Sequence, residues 1–404
     1  MMSSLPKTRR FSIMSLATAI PAPRWLTEEL VQFQDSVDHF TAERVAADYE
    51  RWENEGIVPR SLWNSLGEQG FLNCDTPEEY GGLGGDYRHL AAVLERFSYD
   101  GYATIAGSMI GVHSGIVAHY ILNNGSEDQK RRYLPAMASG DKIAAIAMTE
   151  PATGSDLQGI KTTARADGNG YVINGSKTFI SNGQHADFVV VVAKTDSSVS
   201  GSKGTSLLIV DTDAKGFSRG RNLDKIGLHS ADTSELFFED VRVGGDAVLG
   251  EVNNGFAVLM NELPRERLVL ASCAIAAVEG ALAWTIEYVG ERQLFGQSLA
   301  KFQNTRFKLA EMLTEARVTR AFIDHCTDLL VVGKLDTATA SMAKLKASEL
   351  QGEITDGCLQ LFGGYGYMRE YPIGRAFVDA RIQRIYGGTS EVMKEIIARD
   401  LLGR

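Results

Sequence analysis

The chain has 404 residues, 41 basic against 51 acidic for a formal charge of −10, and 44% of it is hydrophobic. That length allows two or three domains around a large core, and the absence of any basic run that could track a phosphate backbone excludes nucleic acid as the expected partner. Four scattered cysteines, Cys74, Cys273, Cys326 and Cys358, offer neither a disulfide framework nor a zinc ligand set, and no apolar run reaches the roughly 18 residues of a membrane span, so a water-soluble protein of a reduced compartment is expected.

Residues 1–25 carry Lys7, Arg9, Arg10 and Arg24, several Ser and Thr, and no acid before Glu28. This reads as an N-terminal extension with Met14 as an alternative start, or as a mitochondrial presequence; the apolar stretch from Phe11 to Ile20 is too short and broken for a secretory signal. From 26 to 141 apolar residues recur three and four apart, which predicts a helical domain. Within it, Ser126 followed by Gln129 predicts a capping box that opens a helix through Tyr133. Between 142 and 252 the period changes to two or to short buried runs, in KIAAIAM, YVING, DFVVVVA, TSLLIV and ELFFEDV, and Asp167-Gly168-Asn169-Gly170 predicts a hairpin turn. From 253 to 404 long helical segments return, broken at Gly290, Gly296, Gly333 and Gly363-Gly364-Tyr365-Gly366. Helices, then strands, then helices predict an α+β chain with segregated layers. The final Leu401-Leu402-Gly403-Arg404 is no peroxisomal address.

Two stretches of the strand block carry chemistry: AMTEPATGSD (147–156) and NGSKTFISNG (174–183). Both are turns rich in Gly, Ser, Thr and Asn after apolar runs, so they present backbone N–H groups and short hydroxyls to a ligand with many acceptors. Neither fits the dinucleotide fingerprint or the phosphate loop, which points to a different large, polar, ring-containing cofactor. Farther on, Pro264 suits a first helical turn, so a helix is expected to start near Asn261 to Leu263 with Glu266 just inside it. Helical spacing sets Leu263, Leu270 and Cys273 on the side of Glu266, and burial there raises a carboxyl pKa towards that of a useful base. Glu262, one turn earlier, is a second candidate. His113 and His119 are six apart, on different helical faces, which argues against a metal pair.

These stretches, with ELPRERLVLA, RQLFGQ, QLFGGYGYMREYPIGRAFVDARIQ and IYGGTSEVM in the same order, resemble the acyl-CoA dehydrogenase family from about Leu26 to the end, and its long-chain branch in detail. The resemblance implies a helical N-terminal domain, a central β-barrel and a C-terminal four-helix bundle that bind FAD and oxidise an acyl-CoA to a trans-2-enoyl-CoA. It also implies electron transfer to an electron-transfer flavoprotein, and a homo-oligomer, a dimer of dimers, in a bacterial cytoplasm or a mitochondrial matrix. By the same resemblance Met148, Thr149, Phe179, Ile180 and Ser181 meet the flavin ring, and Ser155 meets its pyrophosphate or the CoA. Arg292, Phe295, Gln303, Gln360, Leu361, Gly363 and Gly364 grip the FAD of a neighbouring subunit, while Thr389 and Glu391 complete the cofactor contacts.

Many relatives carry their catalytic glutamate where this chain has Gly387; the long-chain and isovaleryl branches carry it where this chain has Glu266. Glu266 is therefore the expected base. The N–H groups of Gly387 and Gly388 are the expected donors to the thioester oxygen, Leu263 lines the substrate side, and Arg267 holds the CoA end and nearby loops. Ala257 stands where long-chain relatives have a bulky residue, which leaves a branched acyl-CoA as an alternative substrate. An oxygen-using flavoenzyme of the same fold and a silent acyl-CoA binder are the alternative functions.

Overall fold

The computed structural model describes residues 22–199 and 202–403, so the segment expected over 1–25 lies almost wholly outside the described residues. The N-terminal layer comprises α1 (Glu28–Phe40), α2 (Tyr49–Glu55), α3 (Arg60–Glu68), α4 (Tyr87–Tyr99), α5 (Ala118–Asn124) and α6 (Glu127–Ala138). The expected capping box is present: the Gln129 N–H donates to Ser126 Oγ, and the Ser126 N–H donates to Gln129 Oε1. Between α4 and α5, Thr104–Val117 winds as a π-helix, a form that usually occurs as a single turn.

Eight strands follow: β1 (Ala144–Ala147), β2 (Thr163–Asp167), β3 (Gly170–Ser181), β4 (Phe188–Lys194), β5 (Thr205–Asp211), β6 (Phe217–Asn222), β7 (Thr233–Gly244) and β8 (Val248–Leu249). They form one sheet in the order β6-β7-β3-β2-β4-β5-β8, with β1 parallel to β4. Asp167 pairs with Gly170, so the chain turns at Gly168-Asn169 as expected. The unbroken apolar runs of β4 and β5 are covered on both faces, and their alternation divides two cores. Phe188, Val190, Val192, Leu207 and Ile209 pack with Ile121, Tyr133 and Leu134 of the helical layer. Val189, Val191, Ala193, Leu208 and Val210 pack with Ile173, Leu236 and Phe238 across the sheet.

The C-terminal layer contains α7 (Gly255–Glu291), a short hairpin of β9 (Gln293–Leu294) and β10 (Gln297–Ser298), α8 (Gln303–Val331), α9 (Thr337–Phe362), α10 (Pro372–Ala380) and α11 (Ser390–Leu402). Helix α9 packs against α7, α8 and α11. Helix α7 also packs on α4 and on the π-helical stretch, and the expected start near Asn261 to Leu263 is corrected: α7 begins at Gly255 with Pro264 inside it. An interior proline removes its own N–H from the ladder and crowds the carbonyl one turn back, but Val258, Leu259 and Glu262 before it are already buried, so packing carries the helix through. The small residues of α7 serve close approach. A Cβ on Gly280 would lie 2.0 Å from the Tyr99 carbonyl oxygen, while Val269 fits against Gly111 and Gly115 of the π-helix.

The expectation that no apolar stretch is long enough for a membrane needs a second correction. Thr104–Asn124 and Gly255–Glu291 both pass by length and composition. In each, 83% of the most apolar window is buried inside the protein, as in the central helices of a packed core.

One buried ionic cluster ties three helices together. Arg320 on α8 donates Nε and Nη2 to Glu279 of α7 at 2.7 Å each, and Nη1 to both oxygens of Glu95 of α4 at 2.9 Å. Asp324, held by the Trp25 indole N–H, lies 3.5 Å from the same guanidinium. Burial outweighs Arg320 at Glu95, whose pKa is pushed up to about 7. Replacing Arg320 with Met strands buried carboxylates, so the variant should lose about 3–5 kcal/mol of stability in denaturant titrations. The loss should shrink as the pH falls through about 7 and Glu95 takes up a proton.

Candidate active site

Helix α7 carries Glu262 and Glu266 one turn apart, both 7% exposed. Glu262 is saturated: it accepts from Asn123 Nδ2 at 3.1 and 3.2 Å and from Asn124 Nδ2 at 3.1 Å, which fastens the end of α5 to α7. Glu266 has one hydrogen-bond donor among the described residues, the Tyr120 hydroxyl, 2.6 Å from Oε1. Burial pushes its pKa up to about 7, aided by the charge of Glu262; the Tyr120 bond and Arg267 pull the other way.

The neighbours of this pair form a second clamp. Asp75, with a side chain 1% exposed, faces His119 Nε2 at 3.2 Å and is paired with Arg265, whose Nε donates to the Gly115 carbonyl at 3.0 Å. Burial alone would raise the Asp75 carboxyl, but Arg265 and His119 overcome it and hold the group well below the usual carboxylate range. His119 precedes Tyr120 and Arg265 precedes Glu266, so Asp75 ties together the two segments that bring hydroxyl and carboxylate into contact. His113, in contrast, is a packing residue. It accepts from the Ala144 N–H at 3.1 Å and bonds the Met137 carbonyl at 3.0 Å, and burial lowers its pKa to about 4.

Beside α7 runs the loop with Gly387 and Gly388, whose φ values are +60° and +92°. A Cβ on Gly387 would lie 2.3 Å from Leu270 Cδ1, one turn beyond Glu266. The place a loop side chain would occupy is thus taken by α7 itself. Lys344 of α9, fully buried, donates to the Gly388 carbonyl at 2.6 Å; burial, with help from Arg267, pushes its ammonium pKa down to about 8. Arg267 is 3% exposed and turns to α9, where Nη1 donates to Ser341 Oγ at 3.1 Å. Of its two expected tasks, holding nearby structure has geometry behind it; reaching the CoA end does not. Leu263 is half-buried on the same helix. Thr389 uses its hydroxyl to cap α11, and Glu391 is exposed in that helix's first turn.

The two polar turns lie together. The Thr178 N–H donates to the Thr149 carbonyl at 2.9 Å, and Lys177 donates to the Met148 carbonyl at 3.0 Å and to Glu150 at 2.9 Å. Glu150 in turn accepts from the N–H groups of Lys161 and Thr162. The register of β3 against β7 shifts between Lys177 and Ile180. There Phe179 takes φ +59° and stands 68% exposed, between buried Thr178 and Ile180, with half-buried Ser181 beyond. Ser155 is exposed on the first turn.

The remaining expected residues gather elsewhere. Phe295 and Gly296 are the two-residue turn of the β9–β10 hairpin, both at positive φ, and Phe295 is 87% exposed. Arg292 lies 5.3 Å over the Tyr365 ring, which brings the hairpin to Gly363 and Gly364 at the end of α9. Gln303 and Gln360 are exposed on α8 and α9, and Leu361 is half-buried. Among the described residues no hydrogen bond, ion pair or ring contact joins this group to Met148–Ser155 or Phe179–Ser181.

Three family profiles tile the chain: the acyl-CoA dehydrogenase N-terminal domain over 27–141, the middle domain over 145–241 and the C-terminal domain over 253–402. The chain belongs to the acyl-CoA dehydrogenase family. It is 48% identical over 386 residues to the mitochondrial long-chain specific acyl-CoA dehydrogenase of Sus scrofa, which covers 95% of this chain and 89% of the relative. Among solved structures, an acyl-CoA dehydrogenase from Geobacillus kaustophilus matches with a TM-score of 0.90 at 43% identity, covering 94% of this chain and all of the other. A Mycobacterium smegmatis glutaryl-CoA dehydrogenase in complex with FADH2 matches at 0.88 and 27% identity, covering 98% of each.

Acyl-CoA dehydrogenases are FAD-dependent flavoproteins, and the residues present fit that cofactor. An exposed Phe179 face, with Ser181 two residues on along β3 and Thr149 tied by its carbonyl to the Thr178 N–H, supplies the apolar surface and polar rim that a flavin ring needs. Sequence reasoning missed Tyr120, Asp75, Lys177 and Lys344. For Lys177 a signal existed, since it shares the inward phase of β3 with Ile173, where a cation demands a partner. Lys344 likewise interrupts a buried stripe of Ala340, Ala343 and Ala347. Tyr120 had no local signal, because its partner is 146 residues away.

The dehydrogenase's loop geometry is directly testable. Gly387→Ala should destabilise the protein by about 1–3 kcal/mol through its positive φ and the collision with Leu270. In a Leu270→Ala background, denaturant titration should show the added loss reduced to the backbone part alone.

Proposed function

We propose that this acyl-CoA dehydrogenase oxidises medium- to long-chain fatty acyl-CoA to trans-2-enoyl-CoA, with Glu266 as the base and an electron-transfer flavoprotein as the acceptor. Glu266 carries the reading. It is a buried carboxylate with its pKa pushed to about 7, and it lies one helical turn from the leucine that fills the space against Gly387. FAD, when bound, supplies the acceptor for the hydride that leaves the β carbon. Glu266 takes the α proton through a carboxylate matched to neutral pH. The N–H groups of Gly387 and Gly388, in a loop fixed by Lys344, donate to the thioester oxygen as charge grows there. Leu263 and Ser155 lie along the substrate, and Arg267 steadies the side of α7 that faces α9.

Met148, Thr149, Ser155, Phe179, Ile180, Ser181, Thr389 and Glu391 serve the flavin of their own chain. Arg292, Phe295, Gln303, Gln360, Leu361, Gly363 and Gly364 serve that of a second copy. The exposure of Phe295 at 87% and of Tyr367 at 84% at that end of the bundle supports a partner there, and so a homo-oligomer. The 48% identity with a long-chain specific relative supports the chain-length class. Four buried, unpaired cysteines suit a reduced compartment.

Anaerobic mixing of the holoenzyme with straight and branched acyl-CoAs of graded length tests this. Flavin bleaching should be fastest with medium or long straight chains, its kcat/KM should rise with pH through about 7, and Glu266→Gln should slow it by ~10²–10⁴-fold. A holoenzyme that no acyl-CoA bleaches would overturn the reading, and an unimpaired Gln variant would move the base to Glu262.

A further inference from the structure

We infer that Tyr120 is a positioning residue for the reaction. Its hydroxyl fixes one oxygen of Glu266 and sets the pH above which that carboxylate works as a base. The inference rests on the dehydrogenase reading above and adds to it a residue on a different helix.

The geometry is specific. Tyr120 is fully buried, and its hydroxyl is 2.6 Å from Glu266 Oε1. Burial and the adjacent carboxylate push the phenol well above its ordinary range, so it stays protonated and donates at any working pH. With Oε1 committed to that bond, Oε2 is the oxygen left to receive a proton. The contact is built from both sides, because Asp75 holds His119 next to Tyr120 and Arg265 next to Glu266.

The other ionisable groups around Glu266 leave Tyr120 with a distinct role. On α7, Glu262 opposes ionisation, Arg267 favours it, and Arg265 turns away to Asp75. On α9, Lys344 is committed to the Gly388 carbonyl, and the loop contributes Tyr386, which is not among the groups acting on Glu266. The neutral donors Asn123 and Asn124 are spent on Glu262. Against burial and the Glu262 charge, the Tyr120 hydrogen bond is, among the described residues, the one direct bond that stabilises the ionised base.

The decisive variant is Tyr120→Phe, which keeps the ring and removes one oxygen. In the holoenzyme, the acid limb of kcat/KM for flavin reduction should move to higher pH by about one unit. Rates below the limb should then fall ~10-fold while the rate well above it changes less. Replacing Tyr120 by 3-fluorotyrosine, a stronger donor of nearly the same shape, should move the limb to lower pH. A structural role alone would change flavin content or stability and leave the limb in place. An unmoved limb in a Phe variant with wild-type flavin content, or a shift in the same direction for both variants, would overturn the inference. The protonated-carboxyl infrared band, assigned by its loss in Glu266→Gln, reads the same titration without turnover. It therefore decides the role of Tyr120 even if no acyl-CoA bleaches the wild type.

Discussion

Burying a carboxylate without a full counter-charge is unfavourable, and the site is organised around one, Glu266, on a helix with a long buried stretch from Glu266 to Ala276. Helix α7 touches α4, α8, α9 and the π-helical stretch, Glu266 is buried among them, and burial pushes the group's pKa to about 7. A group so placed needs a rigid frame, since a small displacement would change both its hydration and its aim. The frame is the Asp75 clamp behind it, the Asn123 and Asn124 amides that immobilise Glu262 one turn away, and Leu270 one turn on, against the glycine loop.

Buried lysines repeat a single device on two loops. Lys177 donates to the Met148 carbonyl at the first polar turn, and Lys344 donates to the Gly388 carbonyl beside the base. In each case a desolvated ammonium, its pKa lowered to about 8 by burial, holds main chain in a turn. Lys177 has Glu150 as its paired counter-charge, whereas Lys344 bonds a carbonyl and lies near a second cation, Arg267, with Glu349 and Glu391 opposing that cation less strongly than burial and, among the described residues, without a direct ion pair. A carbonyl dipole satisfies an ammonium less completely than a carboxylate does. The charge left over by Lys344 is thus set beside the glycine loop. The Arg320 cluster is the reverse arrangement, one cation among three acids, and belongs to the frame rather than to the chemistry.

Much of the fold was legible because it depends on local pattern. The Asp167–Gly170 hairpin, the Ser126 capping box and the buried runs of β4 and β5 rest on turn chemistry, capping and period, all readable over a few residues. The start of α7 was misread because Pro264 is a good first-turn residue and nothing local shows that packing carries the helix back to Gly255. The π-helical stretch leaves no periodic signature in a segment buried nearly all round. In the candidate site, the burial of Glu266 beside Leu270 and Cys273 and the polar turn around Phe179 were legible as local patterns. What aims them was not, since the Tyr120–Glu266 and Lys344–Gly388 contacts join residues 146 and 44 apart. Only the inward phase of Lys177 and the apolar stripe around Lys344 announced that a buried partner must exist.

The central claim is that the base reaches the substrate from α7 while the glycine loop contributes backbone alone. A structure of the holoenzyme with a non-oxidisable thioester analogue of acyl-CoA tests it most directly. The account predicts a Glu266 carboxylate oxygen within about 3.5 Å of the α carbon, with the N–H of Gly387 or Gly388 on the thioester oxygen. An α carbon held against Glu262, or a thioester oxygen out of reach of both glycine N–H groups, would contradict it.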